Sequence, residues 1–226
     1  MNAAANIGPR GTAVNTSGRG RPLKRAKRRY ELKRRAERQA DTRRRIVVAA
    51  VELHGAVGPL ATTISAIAER AGVERETVYR HFPDERSLFA ACTAHYLAAH
   101  PGPAIDAWRE ISDPRRRLEQ ALRETYEHYA TIEPMAASIL RDAEVAPDRV
   151  GSSFAAFHAA ARAVLQEGWH ASPYRRRPIR AAIGHALRFH TWRSLSREER
   201  LSQDSAVRLM VRLVIQATRV GSLSCS

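Results

Sequence analysis

Five side chains able to bond to nucleic-acid edges and phosphates, Arg75, Glu76, Thr77, Tyr79 and His81, fall within seven residues just after Gly72–Val73. The residues before the glycine read as one short helix, Ile64–Ala71, and those after it as a second, Arg75–Arg80, with Thr63 as the N-cap of the first. Ile64, Ile67 and Ala68 are spaced to pack inward, Ala71 is small enough for a close helix crossing, and Val73 and Val78 plug the angle between the helices. Such a helix-turn-helix unit projects its second helix as a ridge that fits the B-DNA major groove, about 12 Å wide. The chemistry on offer is recognition, without bond making.

Catalytic chemistry finds no comparable grouping. His158, His170, His185 and His190 are scattered, and His185 and His190 stand five apart, off a common helical face. No cysteine joins them, so no metal site is expected. Glu124 and His128 are spaced as a surface helix pair. A Gly-rich phosphate loop, a nucleophile elbow and a paired-carboxylate motif are all missing from the sequence. The expectation is a protein with no catalytic residues and no cofactor.

The elements that must hold the recognition helix are themselves helical. Ile46, Ala50, Leu53 and Val57 recur at spacings of three and four, before Gly55 and Gly58–Pro59 stop that helix. A longer helix follows from about Asp84 to Ala99, with Leu88, Phe89, Cys92 and Tyr96 as its apolar stripe. Further helices are predicted from Pro114 (N-capped by Asp113), from Glu133–Pro134 to about Val145, over Pro147–Gly168, over Ile179–Leu195 and over Ser202–Val220. Pro173 and Pro178 are expected to punctuate a basic loop, and Ser196 with Glu199 has the form of a capping box. No segment shows a period of two, so the fold class is all-α.

Charge is distributed unevenly along the 226 residues, whose net charge is +15. Fifteen Lys and Arg stand against three acids up to Arg45, whereas from Ile46 the balance is 23 to 20. A basic arm is thus attached to a nearly neutral body, which points to a polyanionic partner. Residues 1–20 read as disordered, and the Arg-rich stretch after them as able to become helical when its charges are neutralised. Two cysteines, Cys92 and Cys225, make no disulfide framework. No apolar run resembles a signal peptide or spans a bilayer, so the expected setting is cytoplasmic, with no membrane partner.

The window from Thr62 to Phe89, above all IAERAGV at 67–73 and TVYRHFPDERSLF at 77–89, resembles the DNA-binding domain of the tetracycline-repressor (TetR) family of bacterial transcription regulators. The resemblance covers about Thr42 to Tyr96. It implies that Thr63 contacts a phosphate, that Thr77, Tyr79 and His81 contact DNA, and that Arg75 and Glu76 occupy the base-facing start of the helix. Phe82 is a core residue on this reading. Glu85 departs from the pattern, since many members carry Lys there, and its charge repels phosphate; Arg86 either replaces the contact or the contact is absent. Ser65 stands where some relatives place a longer reader. Arg19-Gly20-Arg21-Pro22 resembles an AT-hook, whose arginines lie in a narrow minor groove; general phosphate attraction by the arm is the alternative.

The resemblance divides the chain into a disordered basic arm (1–36), a helix-turn-helix domain (37–83), a connecting helix (84–100) and an α-helical effector-binding and dimerisation domain (101–226). It implies a homodimer, an unidentified small-molecule effector, and double-stranded DNA as partner. Candidate pocket residues are Trp108, Tyr126, Tyr129, Met135, Phe157 and Phe189, with Phe154 and Trp169 beside them; each also suits plain packing. Leu187, Leu195, Leu209, Leu213, Val214 and Ala217, with Met210, form the natural interface and core set. The function expected is a sequence-specific regulator, a ligand-responsive repressor on a palindromic operator. The alternative is an architectural protein that binds DNA with little sequence preference through its arm.

Overall fold

The computed structural model describes residues 20–170 and 172–219. The expected disorder of the first 19 residues, Arg19 of the AT-hook reading, and Cys225 lie outside them. The chain divides into two compact units, residues 1–44 and 45–226. Among the described residues all regular structure is helical.

In the first unit the basic stretch is already helical, as part of α1 (Gly20–Ala56). Residues 20–36, expected as a disordered arm, are therefore ordered as helix, and Gly20–Pro22 are not the extended strand an AT-hook requires. The sequence accounts for this: no Gly or Pro interrupts Leu23 to His54, and Arg, Lys, Ala, Leu and Glu are strong helix formers. Lys33 and Glu37 pair at 3.8 Å, Asp41 and Arg44 at 2.7 Å, and the Arg34 guanidinium lies 5.8 Å from the Tyr30 ring centre.

The second unit has two cores. The smaller joins Ile46, Val47 and Ala50 of α1 to α2 (Ile64–Ala71), α3 (Arg75–His81) and α4 (Glu85–Ala99). Val57, expected on the same stripe, lies past the helix end and is exposed. The larger core gathers α5 (Pro114–Val145), α6 (Ser152–Leu165), α7 (Pro173–Ala186), the short α8 (Phe189–Arg193) and α9 (Gln203–Arg219). Helix α9 packs on α5 and α7. Asp113 caps α5 as expected, accepting from the Arg115 and Arg116 amides at 2.8 and 3.1 Å.

Four boundaries differ from the sequence reading: the helix expected over 179–195 is broken where Arg188 turns extended between α7 and α8, and three others have equally local reasons. Pro134 starts no helix; it lies inside α5, on the exposed face, where water can satisfy the Ala130 carbonyl that it cannot bond. The predicted 147–168 helix is shorter because Gly151, at φ +86°, turns the chain just before α6. Residues 173–178 continue helically into α7, since Pro173 occupies a first-turn position. The capping box is likewise not formed. Residues 194–198 make a π turn in which the Glu199 amide donates to the Ser194 carbonyl at 2.9 Å, and Ser202 caps α9 by accepting from the Ser205 amide at 3.3 Å.

A buried arginine that no pattern announced ties the larger core together. Arg117 donates to the carbonyls of Ile111, Val164 and Glu167, at 2.9, 3.3 and 3.1 Å, which satisfies both its guanidinium and the end of α6.

Candidate nucleic-acid interface and ligand cavity

The recognition unit is built by three local devices. The Thr63 hydroxyl accepts from the Ala66 amide at 3.2 Å, starting α2. Gly72 closes α2 in the left-handed region (φ +62°), where its missing Cβ removes the strain, and the Arg45 guanidinium donates to its carbonyl at 3.1 Å. Val78, fully buried, then anchors α3, with Phe82 beneath it as expected of a core residue.

With Val78 facing inward, α3 turns its opposite face to solvent. Arg75, Glu76 and Tyr79 are exposed, Tyr79 by 48%, while Thr77 and His81 are half-buried. The Thr77 hydroxyl accepts from Arg80 at 3.2 Å, so Arg80 braces the face that the sequence assigned to its neighbours. Thr63 is exposed at the adjoining helix start. Six of the eight expected DNA-contacting residues therefore belong to one helix-turn-helix unit. Of the other two, Arg21 lies in the basic part of α1, and Arg19 is outside the described residues.

Glu85, the departure from the family pattern, has a partner that sequence spacing could not reveal. Its carboxylate pairs with Arg149 in the turn between α5 and α6. The acid at the start of α4 is thereby occupied by the helical domain.

Helix α4 serves both cores, because its stripe has two sides. Leu88 and Cys92 face the smaller core, while Phe89, Cys92 and Tyr96 border a cavity of about 140 Å³ shared with α1, α5 and α6. Of the expected pocket residues, Tyr129, Met135 and Phe157 line it, as does Phe154. Trp108 and Tyr126 pack in the core outside it, the indole donating to Glu124 at 2.7 Å and the phenol to the Ala186 carbonyl at 2.8 Å. Phe189 borders a second, open cleft. His54, His100 and His128 also line the cavity and were missed by sequence reasoning, since isolated histidines on separate elements leave no spacing signal. Burial pushes the His54 pKa down to about 4, against a smaller opposing pull from Asp142; burial, with His100 nearby, also lowers that of His128.

The α5 helix also grips the loop between α1 and α2. Asp142 accepts from the Leu60 amide at 2.8 Å, Arg141 donates to the Val57 carbonyl at 2.9 Å, and Ser138 to the Gly55 carbonyl at 3.2 Å. Gly58 has φ +95°, and a Cβ there would come within 2.6 Å of the Asp142 carboxylate.

Of the expected interface set, Leu187 and Val214 are fully buried within the protomer, and Leu195 and Ala217 are half-buried. Leu209 and Leu213 are exposed by 44% and 43%, one helical turn apart on α9.

These features define a helix-turn-helix protein with a separate helical domain. Residues 46–92 match the family described as bacterial regulatory proteins of the tetR family. The sequence is 44% identical over 61 residues to an uncharacterized HTH-type transcriptional regulator of Mycobacterium bovis, and 43% over 60 residues to one of Mycobacterium tuberculosis. The first match covers 27% of this chain and 32% of the relative, so the likeness spans about a third of these proteins. Over this N-terminal segment the chain is similar to the DNA-binding domain of that family.

Solved structures extend the likeness of fold across most of the chain. A TetR-like transcriptional regulator from Rhodococcus sp. RHA1 superposes with a TM-score of 0.53 at 18% identity, covering 80% of this chain and 97% of that one. The fatty acid degradation regulator FadR from Bacillus halodurans gives 0.52 at 17%, covering 80% and 96%.

Proposed function

We propose that this protein is a sequence-specific, DNA-binding transcription regulator that acts as a dimer and releases its operator on binding a small molecule. The observation that carries this reading is the exposed face of α3. Arg75, Glu76 and Tyr79 are held outward by a helix whose Val78 is fully buried, directly after the left-handed turn at Gly72. Thr63 would meet a phosphate at the start of α2, and Thr77 and His81 would support contacts along the groove. Glu85, paired with Arg149, is directed away from that task, which leaves Arg86, the next residue of α4, to meet the phosphate in its place.

A ligand in the cavity would touch α4 directly through Phe89 and Tyr96. Any arrangement that it favours would alter how α4 holds α3, and so how two recognition helices are spaced. The α5 grip on residues 55–60 offers a second connection.

Selection of bound DNA from a random pool tests the reading. A palindrome with two half-sites is expected, and Tyr79→Ala should weaken binding to it by about tenfold or more. Unchanged affinity of that variant would remove α3 as the reader. The basic part of α1 favours a second reading, since residues 20–44 carry 12 Lys and Arg against three acids. An architectural protein driven by that segment would enrich no sequence at all, and its binding would weaken steeply with salt.

A further inference from the structure

The apolar cavity against α4 is not isolated. Gly151 and Phe154 border both it and the open cleft of about 1080 Å³ between α5, α6, α7 and α8. The two compartments therefore meet at the first turn of α6, and their chemistry is opposite. The cavity is walled by Phe89, Tyr96, Ile132 and Met135, whereas the cleft carries Arg162, Arg188, His158, His185 and His190.

We propose that the chain binds an amphipathic organic anion, its apolar part in the cavity against α4 and its charged group received by Arg162 and Arg188. The inference rests on the reading of the helical domain as an effector domain and names the class of effector. Among the described residues, neither guanidinium has a carboxylate within ion-pairing distance, although each has reach into the same cleft. The cleft's lining acid, Glu144, faces His190 at 3.9 Å. Two cations left to face one space repel each other, and an anion between them removes that cost.

The site shows signs of being shaped for a guanidinium. A Cβ at Gly184 would meet the Arg162 Nε and Cζ at 3.2 Å, so the absent side chain makes the room in which Arg162 lies. His158 faces both arginines; burial, then the positive charges of Arg188 and Arg162, lower its pKa, outweighing a bond involving Leu187. It remains neutral and lies 2.8 Å from the Tyr129 hydroxyl, whose ring lines the cavity. One hydrogen-bonded pair thus forms the wall between the charged and apolar halves.

Orientation follows from the same lining. Within the cavity wall His54 is held neutral by burial, so an ionised group is disfavoured beside it. Phe154 and Arg162 are eight residues apart on α6, or about 12 Å along its axis. A ligand spanning both halves therefore needs an extended apolar chain ending in a carboxylate, phosphate or sulfonate, and the Arg162 side chain reaches back along α6 to shorten that span.

Titration calorimetry of the full chain without DNA tests this with octanoate, 1-octanol and acetate as probes. Octanoate should bind at least about tenfold more tightly than 1-octanol, and acetate should give no measurable heat. Combining Arg162→Ala with Arg188→Ala should bring octanoate down to the affinity of 1-octanol without changing the latter, which also reports that the cavity is intact. Arg188→Ala alone, at an exposed position, should lose part of the advantage, and Arg188→Lys should keep more of it. Octanoate binding no tighter than 1-octanol, or an advantage that survives the double alanine change, overturns the proposal. Operator release is measured separately: octanoate that binds without releasing DNA would sink the ligand-responsive reading and leave the site standing.

Discussion

Asp142 shows how much a single carboxylate can hold in this protein. It is buried on α5, yet its Oδ2 satisfies the Leu60 amide 82 residues away, and its neighbourhood admits only glycine at position 58. Removing the acceptor leaves a part-buried N–H without a partner, which costs about 1–3 kcal/mol. Asp142→Ala should therefore lower the unfolding free energy in a urea titration by that amount, and Asp142→Asn, which keeps an acceptor, by less; equal losses for both would show that charge rather than the bond matters. His54, close to this grip, makes stability depend on pH. Its folded pKa of about 4 lies below the unfolded value of 6.5, so the unfolded chain takes up the proton first as the pH falls. The stability due to neutral burial is complete above pH 6.5 and declines progressively toward pH 4. The loss between pH 6.5 and pH 5 is about 1.5 kcal/mol. Denaturation at those two pH values should show it, and His54→Phe should flatten that part of the profile.

At the scale of elements, the sequence reading succeeded where a signal was local and failed where a partner was distant. Thr63, Gly72 and Asp113 act through residues two to four positions away, so their capping and turn roles could be read from the chain itself. The cavity could not be read. Tyr129, Met135 and Phe157 could be suspected from residue type, but His54, Phe89 and Tyr96 join them only because α1 and α4 fold against α5. Arg117 and Arg149 were invisible for the same reason, their partners lying dozens of residues away. Pro134 misled in the other direction, because proline at a first-turn position and proline on the wet face of a continuing helix look alike in sequence. Its backbone cannot bond to Ala130, and an interior proline costs about 3 kcal/mol in a helix, offset in part by the stiffness it gives the unfolded chain. Pro134→Ala should thus raise stability by about 1–2 kcal/mol in a urea titration. A loss of stability instead would mean that α5 depends on a bend at that point.

For the whole molecule, the proposed function poses the question of how a recognition helix of seven residues would achieve selectivity. One such helix reaches only a few base pairs, and a two-fold pair of them multiplies the discrimination. The surface best suited to pairing is on α9. Ala206, Val207, Met210 and Val214 bury one side of that helix in the protomer, while Leu209 and Leu213 leave an apolar step on the other, flanked by Arg208 and Arg212. Because both leucines are already about half in water, Leu209→Glu with Leu213→Glu should leave the protomer folded. Across a two-fold axis, however, the change sets like charges against each other in a surface that would otherwise exclude water. Sedimentation should then find a monomer that still unfolds cooperatively, with a melting temperature no longer dependent on protein concentration, and binding to the palindrome should fall toward that of an isolated half-site. If the variant remains dimeric, the pairing surface lies elsewhere. If it becomes monomeric and still binds the full palindrome undiminished, selectivity resides within one protomer, and the basic part of α1 would be the element to account for it.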